Sequence, residues 1–346
     1  MAEDLDRDGH VDLLVVRRGE VAIRWGNALG TFGQQTPLAP DDVLGDVERT
    51  AFHTHDLDGD GWLDLMMRGP CGMMVLMRTG RRAFTPRPEV LQGYVTTTPY
   101  AIGTWQTPGR PPLVLSMGHG QCGFYTGLAL SDLDAEGFPV LDPVEVYEGH
   151  PYPHPEGWVG LVSAAPMGGA VADLDRDGAL DLFVTLDPDH TIFDGQADWP
   201  ITEPMMDSGL RLIPSDNGLA QIGWGVALLD LDRDGRDDVV VAHGNDQGRW
   251  DGTEPDPGPQ WVTIHWNAGD FRFVDATERL GMGLRGGWRA LSVGDLDGDA
   301  DPDLIVGGIG QAPRVYRNDV ASPLRGFALR LIGTTSNVLG VGAEVV

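Results

Sequence analysis

The chain contains no lysine, so all 24 of its basic residues are arginine. That absence points to a GC-rich coding sequence and says little about function. Basic charge is also scarce: 24 basic residues stand against 52 acidic ones, a formal net charge of −28. Such a balance argues against nucleic acid or an anionic membrane as partner. No run of about 18 apolar residues occurs, so no transmembrane helix is expected. No signal peptide is read either, because an acidic motif already begins at Asp4. The two cysteines, Cys71 and Cys122, are too few for a disulfide framework and read as a free buried pair before a bridge. A Ser-His-Asp order, a nucleophile elbow, a phosphate loop and a Cys-x-x-Cys pair are all missing.

What is abundant is aspartate in a fixed register. The pattern Asp-x-Asp-x-Asp-x-x-x-Asp occurs five times, starting at Asp4, Asp56, Asp173, Asp230 and Asp295. Each copy runs into an apolar stretch such as Leu13 to Val16, Leu182 to Val184 or Val239 to Val241. Clustered carboxylates repel one another unless a hard cation joins them, and Ca²⁺ takes six to eight oxygens. Five such loops supply twenty carboxylates, and five bound Ca²⁺ would leave a net charge of about −18. Paired acids for glycoside hydrolysis would be a single pair at one separation, not a repeated register.

The loops begin like EF-hands but end differently. An EF-hand needs a bidentate Glu at position twelve and an exiting helix. Here position twelve is Val15, Met67, Val184, Val241 and Val306, inside apolar, β-branched runs. The expected unit is therefore a nine-residue loop at the tip of a β-hairpin. Side-chain ligands are expected at positions one, three, five and nine: Asp4, Asp6, Asp8 and Asp12; Asp56, Asp58, Asp60 and Asp64; Asp173, Asp175, Asp177 and Asp181; Asp230, Asp232, Asp234 and Asp238; Asp295, Asp297, Asp299 and Asp303. Position seven (His10, Trp62, Ala179, Arg236, Asp301) is expected to offer its backbone carbonyl. Position six is Gly9, Gly61, Gly178 and Gly235, which permits a sharp turn; the fifth loop has Ala300 there and is expected to be strained or weaker.

The gap between the second and third loops is twice the others. It holds a degenerate copy, Ala101 to Leu115, with Thr104, Gln106, Pro108 and Pro112 at the Asp positions. This unit is expected to keep the hairpin and to have lost the metal. Periods near 50 residues with about four short strands indicate propeller blades. The 49 glycines and 25 prolines suit a turn-dense, all-β protein. Helical periodicity is weak, and only stretches such as Asp275 to Leu280 could turn helically. Small residues before the loops, Gly168 to Ala172 and Gly223 to Ala227, suit the crowded strand nearest a propeller axis. Six units are countable, and the first lacks its entering strand because only three residues precede Asp4. A ring of about seven four-stranded blades over 1–320 is expected, with the chain read as lacking an N-terminal portion.

At these loops the chain resembles the FG-GAP/VCBS repeat family, which includes the calcium-binding blades of integrin α-subunits. The segment Leu329 to Asn337, followed by Gly340 to Val345, resembles the opening of an ASPIC/UnbV domain, so 321–346 reads as the truncated start of such a segment. The combination resembles the cartilage acidic protein family and its bacterial relatives. That resemblance implies a monomeric module that is secreted or on the cell surface, although without a signal peptide a cytoplasmic location stays open. It also implies structural Ca²⁺, about five ions, and a protein or glycan ligand on the face opposite the calcium loops. Some relatives lie in natural-product gene clusters, which implies a competing reading: a biosynthetic enzyme acting on a small molecule.

Candidate sites beyond the calcium loops are few. Long polar segments after the second strands (Met117 to Cys122, Asp187 to Pro200, His243 to Gln260) are where function would sit. His119, His190 and His243 could converge as a metal or acid–base cluster, with Asp246 beside them, or could be separate histidines hydrogen-bonded to backbone. No His-x-x-x-His or His-Glu pairing supports a transition-metal site. His53 and His55 face one side of an alternating strand, where packing explains them about as well as ligation. Trp224 and Trp288 read as packing between blades, and Trp250 as a contact residue in a polar loop.

Overall fold

A computed structural model describes residues 2–17, 20–38, 51–69, 72–87, 98–105, 113–119, 127–131, 145–147, 151–153, 159–161, 167–185, 190–195, 208–210, 221–244, 260–283 and 285–322. Between 98 and 161 the description covers backbone only. Every element in the described residues is a β-strand, and they form seven separate sheets.

The first sheet runs β1 (Ala2–Glu3), β2 (Asp12–Arg17), β3 (Glu20–Trp25), β4 (Gln34–Pro37) in sequential antiparallel order. The second runs β5 (Ala51–His55), β6 (Asp64–Gly69), β7 (Gly72–Gly80), β8 (Ala83–Arg87) in the same way. The third is β9 (Thr98–Trp105), β10 (Leu113–His119), β11 (Gly127–Ser131), β12 (Glu145–Tyr147). A two-stranded pair follows, β13 (Pro151–Pro153) with β14 (Val159–Leu161). Then come β15 (Gly168–Ala172), β16 (Asp181–Thr185) and β17 (His190–Phe193). The next sheet has β18 (Gly223–Leu229), β19 (Asp238–His243), β20 (Gln260–Asn267) and β21 (Phe273–Asp275), with β22 (Arg285–Gly286) also on β20. The last is β23 (Trp288–Gly294), β24 (Asp303–Gly308), β25 (Gln311–Tyr316).

Two expectations are corrected or refined here. The first repeat does have an entering strand: Ala2 and Glu3 pair with Leu13 and Asp12. Two residues suffice because the acidic loop returns the chain directly onto β2. Residues 276–281 form a hydrogen-bonded turn, with Leu280 N–H on Ala276 O at 2.9 Å, and no helix. In the degenerate unit, β9 and β10 are sheet neighbours, so the hairpin is kept. Its connecting residues 106–112 lie outside the described residues, as do Cys71, Cys122, Asp246, Trp250 and the 329–345 segment.

The chain divides into two compact units, Met1–Thr104 with Pro111–Ser163 and Arg330–Val346, and Trp105–Arg110 with Ala164–Leu329. Where side chains are described, consecutive sheets within a unit stack face to face. In the first unit, Leu14, Ile23 and Trp25 of one sheet pack with Leu65, Met67 and Leu76 of the next. In the second, β19 explains the apolar runs that follow the acidic loops. Successive strand residues point to opposite faces. Val239 and Val241 enter the core shared with Phe183 and Ile192, whereas Val240 and Ala242 enter the core shared with Trp288 and Val306. A strand covered on both sides needs apolar residues at every position, so its sequence does not alternate. The entering strands approach closely: a Cβ on Gly168 would lie 2.3 Å from Trp224 O, and one on Gly225 2.9 Å from Arg289 O. These contacts require glycine and account for the small residues before the loops.

Candidate metal centres

All five acidic loops adopt one conformation, built by hydrogen bonds to the aspartates themselves. The first Asp accepts at Oδ2 from the N–H of position six: Gly9 2.9, Gly61 3.0, Gly178 3.0, Gly235 2.9 and Ala300 3.1 Å. The fifth-position Asp accepts from the N–H of position seven at 2.7–3.2 Å in every loop. These bonds curl the chain so that the remaining carboxylate oxygens converge. The curl needs left-handed backbone twice. Position six has φ of 88°, 91°, 92° and 86° at its glycines, and Ala300 is forced to 69°. Position four is left-handed as well, at Arg7 61°, Gly59 73°, Arg176 66°, Arg233 63° and Gly298 84°. Gly59 and Gly298 are the sequence signal for this second left-handed position.

The ninth-position Asp has a role that sequence reasoning did not assign. Asp12, Asp64, Asp181, Asp238 and Asp303 are buried, at 0–2% exposure. Each accepts at Oδ2 from the leucine N–H at position two: Leu5 2.8, Leu57 2.9, Leu174 2.8, Leu231 3.1 and Leu296 2.8 Å. Each also accepts at Oδ1 from a residue just past or within the third strand: Gly26 2.8, Arg78 2.8, Gly195 2.9, Asn267 2.9 and Asn318 2.8 Å. One carboxylate thus staples loop, second strand and third strand together. Burial pushes Asp64 up to about 6 and Asp181 and Asp238 up to about 7, against the opposing pull of the two N–H donors.

The carboxylates that come within cation reach are Asp4, Asp6 and Asp8; Asp56, Asp58 and Asp64; Asp173, Asp175 and Asp181; Asp230, Asp232 and Asp234; and Asp295, Asp297 and Asp299. Positions one and three meet in every loop; position five joins them in three and position nine in two. An all-oxygen set of three aspartates per loop fits a hard dication. Buried oxygens without a hydrogen-bond partner mark the same place: Asp6 Oδ1 and Asp56 Oδ1. Arginines already touch carboxylates of three of the loops, with Arg317 lying 3.9 Å from Asp297 Oδ2 in the fifth. Arg82 binds Asp6 through Nε and lies 3.3 Å from Asp8 Oδ2, and Arg236 pairs with Asp234. Bound there, Ca²⁺ would neutralise the converged carboxylates and lock the curl.

Of the histidines, the structure brings His190 and His243 together and describes only the backbone of His119. His243 Nδ1–H donates to Trp261 O at 3.0 Å, which leaves its Nε2 to accept from His190 Nε2–H at 3.2 Å. Both rings are buried, and burial pushes His243 down to about 3, so it stays neutral. A Cβ at Gly223 would lie 2.4 Å from His190 Cε1, so glycine makes the room for this pair. His53 and His55 stack at 6.3 Å between ring centroids, with His53 pushed down to about 4 by burial. Trp288 is buried in the core, and Trp224 donates to Gly244 O at 2.5 Å under the guanidinium of Arg289.

A cavity of about 690 Å³ lies in the second unit beside the fourth and fifth loops. Trp266, Tyr316, Arg279, Arg317, Asp232 and Asp319 line it, and Arg279 lies 4.5 Å over the Trp266 ring. No sequence signal pointed to it, because its walls come from β20, β24, β25 and four connections far apart in the chain.

The FG-GAP-like repeat family matches the chain over residues 4–67 and 230–306, which contain the first, second, fourth and fifth loops. No curated protein matches it. Among solved structures, a lectin of Agrocybe aegerita, described in its specific recognition of non-reducing terminal N-acetylglucosamine, is similar at a TM-score of 0.53 and 16% identity, over 92% of this chain and 80% of that one. BBS1N in complex with ARL6DN is similar at a TM-score of 0.47 and 14% identity, over 94% of this chain and 81% of that one. The protein is thus an all-β chain carrying FG-GAP-like repeats, with β-propeller-like structural neighbours.

Proposed function

We propose that this chain is a calcium-stabilised, non-catalytic binding module for a protein or glycan, its repeats forming about seven blades of a β-propeller. The observation that carries the reading is the repeated loop. Five acidic curls share one hydrogen-bond scheme, and in each at least three aspartates come within reach of one cation. The ligands proposed are positions one, three, five and nine with the carbonyl of position seven. Structural calcium links occupancy to folding, because a curl that binds only when closed is stabilised by mass action. The likeness of the C-terminal stretch to ASPIC/UnbV belongs to this proposal, as does work outside the cell, where calcium is abundant.

A glycan is the first ligand to test. The lectin among the structural neighbours supports that choice, and the cavity combines Trp266 and Tyr316 faces with carboxylate and guanidinium groups, the amphipathic lining that polyols require. The expected ligand face opposite the loops involves residues 245–259, outside the described residues. The enzyme alternative gains nothing from His190 and His243, which are buried and bonded to each other.

The test is calcium stoichiometry with thermal melts in calcium and in EDTA, followed by a glycan array in both. About five ions and a large drop in melting temperature in EDTA are expected, with glycan binding weakened by Trp266→Ala. No bound calcium, or no effect of EDTA, would overturn the reading.

A further inference from the structure

Neighbouring acidic loops touch each other in a repeated way. The residue at position four reaches forward to the next loop. Arg7 lies 3.9 Å over the ring of Trp62, position seven of the second loop. Arg176 lies against Gly235, position six of the fourth loop, where a Cβ would be 3.5 Å from its Nη1. Arg233 is 3.6 Å from Asp301 Oδ2, position seven of the fifth loop, and donates to Val320 O at 3.1 Å. All three arginines are left-handed, with φ of 61–66°, a conformation that costs a non-glycine residue about 1–2 kcal/mol. The chain uses glycine at position four in the two other loops, Gly59 and Gly298. Gly59 stands in the loop that the degenerate unit follows.

A second contact runs backward. The residue whose N–H binds the ninth Asp also bonds the position-two carbonyl of the preceding loop. Arg78 binds Leu5 O, Asn267 Nδ2 binds Leu174 O at 2.8 Å, and Asn318 Nδ2 binds Leu231 O at 3.0 Å. At the third loop, whose preceding repeat is the degenerate unit, the corresponding residue is Gly195 and has no side chain to reach with. Forward and backward contacts therefore follow the same rule independently: a bridging side chain joins two acidic loops, and glycine stands where the neighbour is the degenerate unit.

We propose that Arg7, Arg176 and Arg233, with Arg78, Asn267 and Asn318, couple adjacent loops, so that cations bind cooperatively within two arrays: loops one and two, and loops three, four and five. The proposal rests on the calcium reading above. Closing one curl fixes its left-handed arginine and presents the guanidinium to the turn of the next. In that next loop the stapled ninth Asp already holds the asparagine or arginine bound to it, so ordering the loop steadies the carbonyl of the loop before. Each closure lowers the ordering cost of its neighbour, and the coupling is reciprocal.

The experiment is a calcium titration of the whole chain with stoichiometry, on a double-mutant cycle. Asp232→Ala disables the fourth loop. In the otherwise native chain this loss should weaken binding at the remaining second-array loops, within the usual 5- to 150-fold range of allosteric coupling. In an Arg176→Gly, Arg233→Gly background the same loss should weaken them much less, and Asn318→Gly should remove more of what is left. Glycine at position four is what Gly59 and Gly298 already provide, so the arginine variants relieve strain and fold. Equal affinities at the remaining loops with and without Asp232, or equal weakening in both backgrounds, would overturn the coupling while leaving the calcium reading intact. A chain that binds no calcium would overturn both.

Discussion

Asp181 and Asp175 sit in the same loop and come within reach of the same cation, yet their removal should differ in kind. Asp181 is fully buried, and its two oxygens take the N–H groups of Leu174 at 2.8 Å and Gly195 at 2.9 Å. Asp181→Ala leaves both donors buried and unpaired, at about 1–3 kcal/mol each. Release of a desolvated charge, marked by the upward shift of Asp181 to about 7, offsets part of that loss. The net cost should be about 2–4 kcal/mol, or about 4–16 °C at roughly 2–4 °C per kcal/mol for a domain of 150–250 residues. The loss should appear in EDTA as well as in calcium, because the staple does not need the ion. Asp175→Ala should remove one calcium and lower the melting temperature only when calcium is present, since Asp175 accepts only the Asp177 N–H within the loop. Asp181→Asn restores at most one bond and should fall between alanine and the native chain. Chemical denaturation in EDTA and in calcium separates the cases. If Asp181→Ala is as stable as the native chain in EDTA, the ninth Asp is a ligand alone and the staple argument is wrong.

Ala300→Gly should relieve the left-handed backbone of the fifth loop and stabilise it by about 0.5–1 kcal/mol net of glycine's entropy, read as a higher melting temperature in EDTA. Substituting Thr104 or Gln106 should leave calcium stoichiometry unchanged; a lost ion would show that the degenerate unit binds metal. In EDTA, stability should fall as pH rises from about 4 through 7, because Asp64, Asp181 and Asp238 have folded values raised above the ordinary carboxylate value and favour the fold most when protonated. Calcium should reverse that slope, since its ligands must be deprotonated, and melts across pH with and without the ion check the reversal. In calcium, where those carboxylates stay deprotonated, a separate loss should set in below about pH 6.5 as His243 and His53, lowered to about 3 and about 4 in the fold, gain protons on unfolding. Replacing His243 with a neutral residue should flatten that acid limb.

The acidic loops were legible because their information is local. Alternating aspartates, glycine at position six and an apolar run after position nine fix a curl and a hairpin within about a dozen residues. Ala300 was legible as strain for the same reason. The entering strand of the first repeat was misread because strand pairing was judged by length, and two residues beside β2 are enough to pair. The staple was invisible because its second donor lies 14, 15 or 29 residues beyond the aspartate and gives through its backbone, which any residue type can do. The His190–His243 contact and the Trp266 cavity likewise join residues from different strands.

The sequence by itself determined the repeat, the chemistry of each loop and the all-β class, since each follows from residue types a few positions apart. Only the tertiary structure decided which aspartate oxygens remain for a cation, which are spent holding the third strand, and which loops stand close enough to touch. Those outcomes depend on stacking one sheet on the next, where buried donors must find acceptors across the repeat boundary.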